Sequence, residues 1–156
     1  MVKIINLGGS TEPEVIKVTD ENGEEIISFK KSIALPTRSR YSIINTNNEN
    51  IGTIEKMRYN FGLVDLPQID ISVNNDKIRI KREMKELKEF YEITGSDFSI
   101  VGNLLGSHFN INKNEKVVAS VTIEKEEIGR NYLADIIDKS NEEQVICILF
   151  ALSWIM

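Results

Sequence analysis

Val145-Ile146-Cys147-Ile148-Leu149-Phe150-Ala151-Leu152-Ser153-Trp154-Ile155-Met156 holds one clearly polar side chain, Ser153. Just before it, Ser140-Asn141-Glu142-Glu143-Gln144 offers two overlapping capping boxes, Ser140 with Glu143 and Asn141 with Gln144. Its acids sit where the positive end of a helix dipole favours them. The pattern predicts a helix over about 141–155 with no face left for water. A helix apolar on every side must be enclosed by lipid or by protein. Twelve residues rise only about 18 Å, against a bilayer hydrocarbon core of about 30 Å, and no flanking basic residue or further apolar turn extends the run. The expected solution is a sheet curled around the helix. Deleting residues 145–156 is expected to abolish folding, because the inward strand faces would lose their shared apolar partner.

The remaining sequence reads as that sheet. Polar clusters at Asp20-Glu21-Asn22-Gly23, Thr46-Asn47-Asn48-Glu49-Asn50, Asn74-Asn75-Asp76 and Asn112-Lys113-Asn114-Glu115 have the residue types that tight hairpins require. Between them the pattern alternates with period two, as in Lys77-Ile78-Arg79-Ile80-Lys81, or is rich in β-branched residues, as in Val117-Val118-Ala119-Ser120-Val121-Thr122-Ile123. Strands are expected at 14–19, 24–30, 41–45, 51–57, 68–73, 77–82, 88–94, 98–103, 107–111, 116–124 and 131–137, with a further one at 2–6. The segment from Lys81 to Tyr91 fits a strand but also, through Met84, Leu87 and Tyr91, a helix; the strand is adopted. Short loops imply an antiparallel meander. Eleven or twelve such strands exceed what a strongly twisted open sheet sustains. The expected fold is therefore all-β with one buried helix: a closed antiparallel barrel of about twelve strands around a central hydrophobic C-terminal α-helix, as a single domain over residues 1–156.

Length and composition agree with one globular domain: 156 residues, 41% hydrophobic and 28% charged. Cys147 is the sole cysteine, which excludes an internal disulfide and points to a reducing compartment. No CxxC or His/Cys cluster has zinc-ligand spacing. Val2 to Leu7 is broken by Lys3 and Asn6 and followed by Gly8-Gly9-Ser10, so no secretory signal is read and a cytoplasmic location is expected. Nineteen Lys and Arg against twenty-four Asp and Glu give a net charge of −5, which disfavours broad nucleic-acid binding.

The segment Gly95-Ser96-Asp97-Phe98-Ser99-Ile100-Val101-Gly102, then Phe109-Asn110-Ile111, Lys116-Val117-Val118-Ala119 and Tyr132-Leu133-Ala134-Asp135-Ile136, ending in the apolar helix, resembles the LURP-one-related family. That family is grouped with tubby C-terminal and phospholipid scramblase domains. The resemblance extends to the early hairpin Val18 to Ile26 and implies a helix-threaded barrel. It carries no catalytic signature. Many relatives have an acid in or just after the terminal helix, where this chain reads Ala151-Leu152-Ser153-Trp154-Ile155. The calcium-binding segment and membrane helix of scramblases are not read in these residues, so neither scrambling nor a calcium requirement is expected from the resemblance.

No catalytic, cofactor-binding or metal-ligating residue is assigned, and the chain is not expected to be an enzyme. His108 lacks a second histidine and is assigned to the surface or to strand packing; Cys147 reads as a buried hydrophobe with a raised pKa. Gly102 and Gly106 bracket a bend and form neither a Walker loop nor a dinucleotide fingerprint. Glu124, Glu126 and Glu127 sit at a strand end and turn where solvation is easy. Trp154 is expected to pack against the strands. The best site candidate is basic: Lys77, Arg79 and Lys81 on one strand face, with Arg82, Lys85 and Lys88 beyond, and a second cluster of Lys30, Lys31, Arg38 and Arg40. If the clusters meet, Lys77, Arg79, Lys81, Arg38 and Arg40 would hold anionic phospholipid head groups or a protein partner; the competing role is solubility and edge protection. Tubby-type domains bind phosphoinositides through surface basic residues, so the resemblance implies the same class of ligand. The expected function is a non-catalytic intracellular binding module, cytoplasmic or peripheral to a membrane. The alternatives are a scramblase-like protein inserting its terminal helix and, below that, a hydrolase using surface carboxylates.

Overall fold

The computed structural model describes residues 2–6, 13–35, 38–61, 64–85, 88–102, 107–127 and 129–155, with side chains described except at 3, 5, 6, 34, 58–61, 64–66, 82–85 and 88–92. Among the described residues, twelve strands precede one α-helix: β1 (Val2–Asn6), β2 (Val15–Asp20), β3 (Glu25–Leu35), β4 (Arg38–Asn45), β5 (Asn50–Phe61), β6 (Val64–Val73), β7 (Asp76–Lys85), β8 (Lys88–Thr94), β9 (Phe98–Gly102), β10 (His108–Lys113), β11 (Lys116–Lys125), β12 (Arg130–Ile136) and α1 (Glu142–Ile155). The ambiguous Lys81–Tyr91 segment is thus divided between β7 and β8, paired from Arg82↔Tyr91 to Lys85↔Lys88.

Asparagine sets the tight turns. Asn74 and Asn75 adopt φ of 47° and 69° between Val73 and Asp76, and Asn114 and Glu115 adopt 50° and 67° between Lys113 and Lys116. Both are two-residue connections with two positive φ values, the geometry that matches strand twist.

The strands form one antiparallel ladder in the order β8-β7-β6-β5-β4-β3-β2-β1-β12-β11-β10-β9. β1 pairs with β12 through Ile4↔Tyr132, which brings the two ends of the sheet sequence together. The expected closed barrel needs correction: β8 and β9 stand at opposite ends of this ladder and are not paired. The cause lies in the link between them. Gly95 turns the chain at φ 78°, the Ser96 hydroxyl accepts from the Phe98 amide at 3.3 Å, and the Asp97 carbonyl accepts from the Asn114 amide at 3.1 Å. The connection is therefore tied to the β10–β11 turn and does not fold back along β8. The sheet is curled but open.

Its concave face holds α1. Alternation supplies the lining: Tyr41 and Ile43 on β4, Ile69, Ile71 and Val73 on β6, and Ile78 and Ile80 on β7 are all buried. Val145 to Leu152 are at most 2% exposed, so every side of the helix is covered. Phe150 stacks on Phe29 of β3 at 4.2 Å, meets Tyr41 edge-on at 5.2 Å and stacks on Trp154 at 5.5 Å. Burying each such large side chain contributes about 1.5–3 kcal/mol, which makes the helix the centre of the core. At 14 residues, α1 is too short to cross a membrane, and no other described helix is long and apolar enough.

Both helix ends are held by side chains from elsewhere. The expected capping boxes give way to Asp138, whose carboxylate accepts from the Ser140 amide (3.1 Å), the Ser140 hydroxyl (2.6 Å) and Asn141 Nδ2 (3.1 Å) ahead of a short 3-10 turn, Lys139–Asn141. Glu143 and Gln144 turn outward instead and bond Asn74 and Asp76 of the β6–β7 hairpin, the second at 3.0 Å. At the other end the last turn has no basic residue of its own. Lys56 of β5 points inward, 6% exposed, and donates to the Trp154 carbonyl at 3.1 Å. It supplies the cation that a helix C-terminus favours and lies 5.4 Å from the Trp154 ring.

Candidate functional site

Strand register decides where the basic residues meet. Across β3 to β7 the outward positions fall into three rows. The first is Leu35, Arg38, Met57, Gln68 and Lys81; the second Ile33, Arg40, Glu55, Asp70 and Arg79; the third Lys30, Ser42, Thr53, Ser72 and Lys77. The two clusters, far apart in sequence, therefore share one face. Arg40 and Arg79 lie three strand spacings apart, about 14 Å.

That face is not a plain cationic patch. Arg38 and Arg40 both grip Glu55: Arg38 through Nε to Oε1 and Nη2 to Oε2 (3.2 Å), Arg40 through Nε (3.0 Å) and Nη2 (2.7 Å) to Oε2. Arg79 Nε donates to Asp70 Oδ1 at 2.8 Å, and Gln68 donates to the same oxygen at 3.2 Å. The Glu55 side chain is 14% exposed, and burial works to raise its pKa. The hydrogen bonds and charges of Arg38 and Arg40 outweigh that and hold the carboxyl below the usual range. Lys77 and Lys81 carry no ion pair among the described residues.

A shallow groove of about 430 Å³ lies over β5 to β8, lined by Thr53, Glu55, Ser72, Lys77, Arg79 and Thr94 among others. Lys77 also borders a second depression of about 330 Å³ beside the unpaired β8–β9 junction, with Asp97, Phe98 and Lys113. Hydroxyl donors thus stand next to an exposed lysine in an external groove, which suits contact with phosphate oxygens.

The five predicted residues are brought onto one surface, but three of them are engaged by carboxylates. Arg82, Lys85 and Lys88 have side chains outside the described residues. Glu55 and Asp70 were not singled out from sequence; their only signal is an acid at an outward position of each central strand, and their pairing depends on register. His108 is exposed and lies 3.4 Å from the Ser120 hydroxyl, while Asp135 pairs with Ser120 from the other side. The acid is therefore across from the serine and not behind the imidazole, unlike a catalytic triad. Cys147 is buried, and burial pushes its thiol pKa well up. Among the described residues, no group of three or more His, Cys, Asp or Glu is placed to hold a metal ion.

The architecture defines a mostly β protein with a single C-terminal helix buried in an antiparallel sheet. The LURP-one-related family model matches residues 9–153, and the chain belongs to that family. An X-ray structure of a protein from Arabidopsis thaliana shares the fold, with a TM-score of 0.53 at 14% identity, over 97% of this chain and 90% of that one. No curated protein matches the sequence.

Proposed function

We propose that this chain is a non-catalytic binding module that docks on an anionic membrane surface through the outer face of β3 to β7. The observation that carries the reading is the convergence of both basic clusters. Lys30, Arg38, Arg40, Lys77, Arg79 and Lys81 share the three rows with only two described acids, Glu55 and Asp70, on a chain whose net charge is −5. Lys77 and Lys81 are four residues apart on one strand, about 13 Å, which exceeds the reach of one phosphate. Two lysines at that spacing suit two head groups of a lipid surface better than one small ligand. Each basic residue at such a surface contributes about 1 kcal/mol. The terminal helix has its apolar surface covered by strands, which supports surface contact in preference to insertion. A cytoplasmic, membrane-peripheral location follows from this reading.

Flotation with phosphatidylcholine vesicles, with and without phosphatidylglycerol or phosphoinositide, tests it. Binding is expected only with the anionic lipid, to fall at high salt, and to be lost in Lys77→Glu/Arg79→Glu/Lys81→Glu. Absence of binding at low salt would remove the proposal.

A further inference from the structure

We infer that Glu55 and Asp70 are built-in competitors of this face, holding Arg38, Arg40 and Arg79 with carboxylate oxygens in the place that lipid phosphates would take. The inference rests on the membrane-docking reading and adds its regulation. Carboxylate and phosphate offer a guanidinium the same pair of acceptors, so one can replace the other without rearranging the arginine. Glu55 presents both oxygens to two arginines at once, and Asp70 meets Arg79 through Nε at 2.8 Å and Nη2 at 3.5 Å.

Two features leave this ion-pair network open to exchange. Glu55 and Asp70 face each other directly across β5 and β6, and like charges directly opposite disfavour a sheet. The side chains of Arg38 and Arg79 are 46% and 48% exposed, so both guanidiniums reach solvent while paired, although Glu55 at 14% and Arg40 at 31% are more enclosed. A dense array of phosphates competes with them on favourable terms. At rest Lys77 and Lys81 are, among the described residues, cations without an ion pair; on a sufficiently anionic surface the three arginines join them. The face thus responds to charge density more steeply than its net charge implies.

The test is a gain of binding. Cosedimentation with vesicles of phosphatidylcholine and phosphatidylglycerol in equal parts is measured for the natural chain, for Glu55→Gln/Asp70→Asn and for Glu124→Gln/Glu127→Gln. The last changes net charge equally at two exposed positions on and after β11. Glu55→Gln/Asp70→Asn is expected to raise the partition coefficient by about fivefold or more, since each released arginine adds its own contact. The control is expected to raise it less than about twofold, as a distant and screened change. Adding Arg38→Ala and Arg40→Ala to the first variant is expected to erase most of the gain. Equal gains in both double variants, or no gain while the natural chain binds, would overturn the inference and leave the docking reading standing. If neither the natural chain nor Glu55→Gln/Asp70→Asn binds, the docking reading fails and the inference with it. Should the double variant melt early, Asp70→Asn alone, which releases Arg79 from Asp70, carries the same test.

Discussion

Phe150→Ala probes the centre of the fold. Phe150 is 2% exposed and its ring touches those of Phe29, Tyr41 and Trp154. Truncating a buried phenylalanine costs about 3–5 kcal/mol, the larger values applying where the surroundings cannot collapse into the space. Here the neighbours come from β3, β4 and the helix itself, each fixed by its own ladder or helical hydrogen bonds, and each aromatic pair adds about 0.5–1.5 kcal/mol beyond burial. A loss of about 4–5 kcal/mol is expected. For a chain of this size each kcal/mol lowers Tm by roughly 2–4 °C, so the midpoint should drop by about 8–20 °C. Urea unfolding followed by Trp154 fluorescence measures it directly, with an unchanged m-value showing that the same surface is exposed. Phe150→Leu, which keeps most of the volume, is expected to cost about half as much. A loss below about 1 kcal/mol for the alanine variant would fall within ordinary surface effects and refute the helix as the core.

Gly52→Ala places a Cβ 1.9 Å from the Ser72 carbonyl oxygen across the β5–β6 ladder, so this strand pair must separate locally; a loss of about 3 kcal/mol or failure to fold is expected, and a normal melting curve would show that the approach is not that close. The Cys147 thiol, fully buried with its pKa pushed up, is expected to be inert to a thiol reagent in the folded chain and to react at the rate of global unfolding; prompt labelling without denaturant would contradict its burial. Glu55 is held below the ordinary carboxylate range by Arg38 and Arg40 against the pull of burial, and Asp138 by the Ser140 side chain and amide. Folded pKa values below the unfolded ones mean stability present above about pH 4 and lost as pH falls through the folded values. Melting temperature measured toward about pH 3 should decline less steeply in Glu55→Gln/Asp138→Asn, and an unchanged slope would refute that assignment.

Much of the fold was legible because its signals are local. Period two fixed the strand faces, the Asn-rich clusters marked the turns, and an apolar run without a wet side implied enclosure. Strand ends were less legible: β3 continues to Leu35 and β4 begins at Arg38, beyond the expected 30 and 41, because ladder partners and not propensity decide where a strand stops. Closure was misjudged for the same reason, since the Asp97–Asn114 hydrogen bond joins residues whose proximity no pattern announces. The expected capping boxes were displaced by a 3-10 turn capped by Asp138, while Glu143 and Gln144 found partners on a hairpin some 70 residues earlier. The candidate face was half legible. Alternation placed Lys77, Arg79 and Lys81 together, but the grip of Glu55 and Asp70 on the arginines exists only in register.

The order in which the elements leave the ribosome gives the buried helix a further consequence. The twelve described strands are all synthesised before the segment that fills them. β1 must also wait for β12, about 130 residues later, before its second edge is paired. Until Val145 to Ile155 emerges, the nascent polypeptide presents a greasy trough to its neighbours, a state prone to association and suited to chaperone capture. Expression of this domain should therefore depend on how quickly translation passes from the strands through the helix as much as on the stability of the folded domain.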